Sequence, residues 1–358
     1  MILVTEITYH IGIVGCGKMG NDLFEFFKGF DLHVTWVCKE EASVNDMQST
    51  FCKNQTRALK YKLTDQEQYE FRLKNTTITT ELNQLINCDL IIETITEDIN
   101  LKRDLFRQLE TIIPKDCIIA SNTSSISPNR LFRKTLYPER CLGLHFFYPI
   151  KMKDFVEVNM ADNTSEDTLE TLKSFLRYIN KYALVLRGEE HFLINRIFLK
   201  MQAGCCRLVT EKGISYREID KQVKAGLFPV GVFEFLDHVG IDVMLQSVKN
   251  YMSYESDPLF YQPMIDMLEA KITNGQLGKK TAAGFYDYTG KKDLAENKVT
   301  KKNDALLRQI ENWFLDGVYY ALSTSVCTKN ELNKVVQDYM MAEKKPFDLA
   351  EEIGYTPK

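Results

Sequence analysis

Apolar residues along this chain fall into short β-branched runs. Between them lie stretches in which leucines and aromatics recur every three or four positions. The runs are Tyr9 to Val14, LHVTWVCK at 32–39, CDLIIETI at 88–95, DCIIASN at 116–122, RCLGLHFFY at 140–148 and DFVEVN at 154–159. Each is bounded by charge, glycine or asparagine and predicts a strand. The segment NLKRDLFRQLETII places Leu101, Leu105 and Leu109 on one helical face. Strands alternating with such helices predict an α/β fold built on a parallel, doubly wound sheet. The stretch from Ala42 to Lys74 has no strand character and predicts one or two polar helices, an insertion at about 42–75.

From Phe192 to Gly226 the period becomes helical throughout, and residues 193–213 predict one long apolar-faced helix. Residues 289–303, TGKKDLAENKVTKKN, are charged and read as an exposed connection. The pattern then repeats. The stretch 195–223 is echoed at 308–336, and 229–241 is echoed at 343–355. Phe233 follows Asn195 by 38 residues, Phe347 follows Arg308 by 39, and Gly240 and Gly354 close the two copies. The second copy lacks the Asn195-Arg196 pair and most of the glycines, which points to a structural duplicate rather than a second site. The predicted organisation is a doubly wound domain at 1–187, an all-helical domain at 188–288 and a degenerate second helical copy at 303–358.

Composition narrows the class. The chain has 358 residues, 44% hydrophobic and 26% charged, with a net charge of −4. That is globular composition with no general attraction to nucleic acid or anionic membranes. No run of 18 apolar residues predicts a transmembrane helix. The start, MILVTEITYHIGIVG, lacks a basic n-region, so no signal peptide is expected. The nine cysteines are odd in number and form no CxxC. They read as reduced, mostly buried thiols of a cytoplasmic protein, with no metal site.

Gly15-Cys16-Gly17-Lys18-Met19-Gly20 is a GxGxxG turn between a predicted strand and a predicted helix. The glycines allow a tight turn and close approach of backbone to a pyrophosphate, and the helix start supplies N–H groups and positive dipole. This predicts a Rossmann-type dinucleotide site. The acid expected on the second strand to hold a ribose 2′-OH is replaced by Cys38, followed by Lys39 and Glu40. Lys39 suits a 2′-phosphate and Glu40 suits a ribose, so NAD is expected, with NADP as the alternative.

From Tyr9 to Tyr288 the chain resembles the 3-hydroxyacyl-CoA dehydrogenase family. The motifs that carry the resemblance stand in order: GxGxxG, IIETITEDINLK, ASNTSS, GLHFFYP, DFVEV, FLINR, LFPVGVFEFLDHVG and LGKKTAAGFYDY. It implies hydride transfer between a nicotinamide cofactor and a 3-hydroxyacyl or 3-ketoacyl thioester. It also implies four catalytic residues: His145, Glu157, Ser124 and Asn195. The chemistry suits the set. An alcohol gives up its proton only to a positioned base, and histidine titrates closest to neutrality. A carboxylate on the far ring nitrogen fixes the tautomer, as Glu157, lying between two valines of a strand, is placed to do. Ser124 and Asn195 are the implied substrate-binding residues, bonding the reacting oxygen. The same match sets Thr94, Glu97, Lys102, Asn122 and Lys280 beside the cofactor.

The chain departs from the family pattern around the pocket. Tyr148 stands where an asparagine is usual near the nicotinamide, Glu190-His191-Phe192 replaces PGF, and Val232 and Ala282 replace a proline and a glycine. In the insertion, Lys53, Arg57, Lys60, Lys62, Arg72 and Lys74 face Asp65, Glu67 and Glu70, a pattern that fits a phosphate-bearing carrier or a solvated helix face equally. The expected substrate is therefore an acyl-CoA thioester, with an acyl-carrier-protein thioester as one alternative and a non-catalytic dinucleotide-binding relative as another. The second helical copy predicts an intrachain pseudo-dimer in a monomer, with a homodimer as the alternative.

Overall fold

The computed structural model describes residues 9–187, 192–252, 257–290, 303–324 and 327–357. The chain divides into two compact units between residues 191 and 192. The first unit opens with β1 (His10–Val14), α1 (Lys18–Phe27), β2 (His33–Val37), α2 (Glu41–Lys60), α3 (Gln66–Lys74) and β3 (Thr76–Thr79). It continues through β4 (Leu90–Glu93), α4 (Ile99–Leu109), β5 (Ile118–Ser121), a single turn α5 (Pro128–Leu131) and β6 (Cys141–His145). It closes with β7 (Phe155–Met160), α6 (Glu166–Tyr178) and β8 (Tyr182–Leu186). The polar insertion is the α2–α3 pair.

The strands form one eight-stranded sheet in the order β3-β2-β1-β4-β5-β6-β7-β8. The chain winds one way from β1 to β3, then returns to lay β4 on the other side of β1. This reversal leaves a crevice at the carboxyl ends of β1 and β4, where doubly wound sheets bind ligands. Buried residues form a core on each face. Phe24, Trp36, Val44 and Leu172 belong to one, and Leu105, Phe106, Leu109 and Leu131 to the other.

The sheet differs from the expected all-parallel one. β6 and β7 pair antiparallel, and β8 runs parallel to β7. The reason is length: only residues 146–154 join β6 to β7, and a parallel return needs a crossover of a dozen residues or more. Two strands lie outside the predicted runs. β3 reads TTIT, with only Ile78 buried, as suits an edge; β8 buries only two of its five residues.

The second unit is helical: α7 (Leu193–Lys212), α8 (Tyr216–Gly226), α9 (Val232–Val239), α10 (Ile241–Tyr251), α11 (Gln262–Thr273), α12 (Asp304–Thr324), α13 (Lys329–Met340) and α14 (Pro346–Ile353). The helices α12, α13 and α14 repeat the succession α7, α8, α9, and both successions lie in this one unit. Close packing joins α12 to α7. A side chain at Gly204 would overlap the Trp313 ring, and one at Gly317 would overlap the Ile197 carbonyl. Most of the charged connection, residues 291–302, lies outside the described residues.

Candidate active site

The glycine turn is built for close approach. Gly15 has φ +119°, and a Cβ there would meet the Thr94 backbone at 2.8 Å. A Cβ on Gly20 would overlap the Gly15 carbonyl, whereas Gly17 has open space where its side chain would be. The turn is held from both sides. Trp36 Nε1 donates to Gly15 O (2.8 Å), and Thr94 Oγ1 lies 3.1 Å from Val14 O and 3.3 Å from Gly15 O. Thr94 therefore props the turn from β4. Where α3, α4 and α6 begin at capping Asp65, Asp98 and Ser165, α1 begins at Gly17 with no side-chain cap and no acidic residue in its first turn. Its N–H groups and positive end suit a dinucleotide pyrophosphate. Met19 packs against the core of the α1 face, as does Cys16.

Cys38, expected beside the ribose, is turned inward. It is 2% exposed, its thiol donates to Met47 Sδ at 3.5 Å, and burial pushes it up to about 12. The exposed side chains at this corner are those of Lys39 and Glu40. Lys18, at the start of α1, sits with Nζ 3.8 Å over the Tyr148 ring, linking the glycine turn to the segment that follows β6.

His145 is the last residue of β6 and pairs directly with Glu157 of β7. Residues opposite each other on antiparallel strands present side chains to the same face. The result is a buried pair: His145 Nδ1 lies 2.8 Å from Glu157 Oε2, with His145 6% and Glu157 0% exposed. A carboxylate only accepts, so the Nδ1 proton points to Glu157 and the Nε2 lone pair is directed away from it. The Phe147 ring covers the imidazole at 4.3 Å between centroids, and Phe155 packs on Phe147.

The end of β5 is equally constrained. Asn122 Oδ1 accepts from Phe146 N (2.9 Å), tying the ASNTSS segment to the residue after His145. Glu97 accepts from Ser124 N (3.2 Å), Thr123 Oγ1 (2.5 Å) and Ser125 Oγ (2.9 Å). Burial disfavours its charge, but Lys102 and these hydroxyls outweigh that and hold its carboxyl below the usual range. Lys102, expected beside the cofactor, lies underneath instead. It is 1% exposed, and its Nζ is shared by Glu93 (2.6 Å), Ile95 O (3.2 Å) and Glu97 (3.3 Å). The family match did not single out Glu93. The signal was present, since Glu93 is an acid closing the otherwise apolar strand LIIE.

Asn195 and Lys280 belong to the second unit. Asn195 lies in the first turn of α7 and donates through Nδ2 to Tyr251 Oη (3.1 Å); Lys280 Nζ lies 2.5 Å from Asp242. The segment carrying Lys280 is locked by buried Asp237, which accepts from Phe285 N, Tyr286 N and Tyr288 Oη. A side chain on Gly284 would overlap that carboxylate. Asp220 repeats the device on α9, accepting from Phe233 N, Glu234 N and Tyr286 Oη. Among the described residues no cluster of metal-ligating side chains occurs, and no helix is long and apolar enough to cross a membrane.

A doubly wound sheet with an open glycine turn, and a buried His–Glu pair at the same edge, defines a nucleotide-dependent oxidoreductase. Residues 10–189 match the family model described as 3-hydroxyacyl-CoA dehydrogenase, NAD binding domain, and residues 192–288 match that described as 3-hydroxyacyl-CoA dehydrogenase, C-terminal domain. The chain belongs to the 3-hydroxyacyl-CoA dehydrogenase family. It is 32% identical to a 3-hydroxybutyryl-CoA dehydrogenase of Bradyrhizobium diazoefficiens, over 79% of this chain and 97% of that one. The crystal structure of (S)-3-hydroxybutyryl-CoA dehydrogenase from Ralstonia eutropha matches with a TM-score of 0.70 at 29% identity, over 79% of this chain and 99% of that one. The 3-hydroxybutyryl-CoA dehydrogenase structure from Escherichia coli K12 matches with a TM-score of 0.78, over 97% of this chain and 92% of that one. At 18% identity that likeness is one of fold, and it extends past residue 288 into the second helical succession.

Proposed function

We propose that this chain is an NAD-linked dehydrogenase interconverting a 3-hydroxyacyl-CoA and its 3-ketoacyl-CoA. The observation that carries the reading is the buried His145–Glu157 pair at the sheet edge that also bears the open glycine turn. The residues fit the cofactor: Gly15, Gly17 and Gly20 leave room for a pyrophosphate against α1, and Lys18, braced on Tyr148, adds positive charge beside it. Cys38 contributes shape from the core rather than a bond to ribose. Glu40 is assigned the ribose edge, and the NAD binding domain match supports NAD over NADP.

Bound NAD accepts the hydride in oxidation, and NADH donates it in reduction. His145 Nε2 takes the hydroxyl proton as the carbon–hydrogen bond breaks, and returns a proton to the oxygen in the reverse direction. Glu157 keeps Nδ1 protonated and stabilises the imidazolium that forms. Ser124 orients the reacting oxygen from the ASNTSS segment, and Asn195 is assigned to that oxygen by the family match alone. Glu97 and Asn122 hold the segment in place, while Lys280 and Asp242 stay a pair in the second unit.

Coenzyme A as carrier, in preference to an acyl carrier protein, is supported by the relatives named above. The nine cysteines are free thiols, which supports a reducing compartment such as the cytoplasm. The packing of α12 on α7 supports the intrachain pseudo-dimer. The test of function is direct. Purified protein should oxidise NADH with acetoacetyl-CoA and reduce NAD with 3-hydroxybutyryl-CoA; failure of both reactions rejects the reading.

A further inference from the structure

The buried charges beneath the ASNTSS segment have no part in hydride or proton transfer. Glu93 is 0% exposed and sealed from any ligand. Its Oε1 accepts from Lys102 Nζ and from Ile95 N, each at 2.6 Å, and its Oε2 accepts from Ser121 Oγ at 2.5 Å. Lys102 has three N–H bonds to give, and three acceptors stand around it: Glu93, the Ile95 carbonyl and Glu97. Burying such an ion pair yields little net stability, because desolvation cancels most of the attraction. What it does yield is direction.

That direction is readable in Glu97. Its side chain is 27% exposed, so on its own it would swing between solvent and protein. Lys102 pins Oε2, which turns Oε1 toward three consecutive residues, Thr123, Ser124 and Ser125. Ser121 is held by Glu93, and Asn122 is bonded to Phe146. Every residue from 121 to 125 is thus tied either to this charge cluster or to the residue next to His145.

We propose that Glu93 and Lys102 are positioning residues: a sealed ion pair that aims Glu97 and, through it, sets Ser124 against His145. This rests on the dehydrogenase reading and extends it to two groups that touch neither cofactor nor substrate. The effect of losing them falls on turnover, because a small misplacement of an orienting group costs rate far more than affinity.

The test compares wild type with Lys102→Met, the double variant Glu93→Gln/Lys102→Met, and Thr123→Val. Thermal unfolding, NADH affinity by fluorescence, and kcat and KM for acetoacetyl-CoA reduction are measured for each. Lys102→Met leaves Glu93 without its cation and is expected to lower both Tm and kcat, the latter about 100-fold. The double variant removes the stranded charge. It should recover most of the lost Tm, while kcat stays about 100-fold down because Glu97 is still unpinned. Thr123→Val keeps shape and fold and should lose about tenfold in kcat. NADH affinity should stay within about threefold of wild type in all three. Recovery of kcat together with Tm in the double variant, or full kcat in Thr123→Val, makes the pair merely structural and overturns the proposal. A loss of NADH affinity as large as the loss of kcat makes Lys102 a cofactor contact and overturns it as well. Wild-type turnover separates the two readings: an inactive wild type rejects the dehydrogenase reading and this inference with it, whereas an active wild type with unaffected variants rejects this inference alone.

Discussion

The first unit buries two carboxylates completely at the ends of neighbouring strands and gives each one basic partner. Glu93, closing β4, faces Lys102 at 2.6 Å; Glu157, on β7, faces His145 at 2.8 Å. The geometry is similar and the chemistry is not. An ammonium in that setting keeps its charge over the whole neutral range, so the β4 pair is a fixed strut. An imidazole gains and loses a proton near neutrality, so the β7 pair can take part in a reaction. Surroundings follow the same division. Lys102 is enclosed by acceptors on all sides, whereas His145 offers Glu157 one nitrogen and turns the other elsewhere.

Substitutions that break this contrast should differ greatly in size. His145→Ala removes the proton acceptor and is expected to lower kcat about 10⁴-fold with NADH affinity nearly unchanged. Near-wild-type turnover would take His145 out of the chemistry. Glu157→Gln keeps the shape but makes the imidazolium costlier and the tautomer ambiguous, for a loss of about 10³-fold in kcat. Unaltered kcat in that variant would reduce Glu157 to packing.

Asp220 supplies a third case, a buried acid with neutral hydrogen-bond partners and no cation. Burial lifts it from the ordinary 3.8 to about 6, against the pull of the Phe233 and Glu234 N–H groups and the Tyr286 hydroxyl. A raised folded-state pKa means that its contribution to stability is full below the unfolded value and declines as pH rises to about 6 and beyond. The stability of wild type relative to Asp220→Asn should therefore fall by about 3 kcal/mol between pH 4 and pH 7, read by denaturant unfolding. A difference that does not change with pH would contradict the shift. The smallest effect belongs to the exposed cation. Lys18→Met should weaken NADH binding about tenfold at low salt and less at high salt, and Tyr148→Asn about threefold. Equal binding by both variants would show that the bracket over the glycine turn is idle.

Much of this was readable from sequence because the signals are local. The glycine turn declares itself within six residues, and an acid between two valines of a strand asks for a partner. Lys102 was legible as important but misplaced, since its contacts depend on how β4 and β5 lie side by side, which periodicity does not encode. Glu93 sat inside an apolar run and drew no separate notice. β3 was hidden by its threonines, and the reversal of β7 followed from the length of a connection rather than from any residue in the strand. Cys38 stood at the expected position, but sequence spacing alone did not reveal that its side chain turns inward.

The reciprocal glycines of α7 and α12 carry a last implication. Because Gly204 takes the Trp313 ring and Gly317 takes the Ile197 carbonyl, the long apolar flank of α7 is roofed by a helix of its own polypeptide. Covering it is then a first-order event, indifferent to how dilute the protein becomes, and a truncation ending near residue 290 would make the same surface answer to concentration instead.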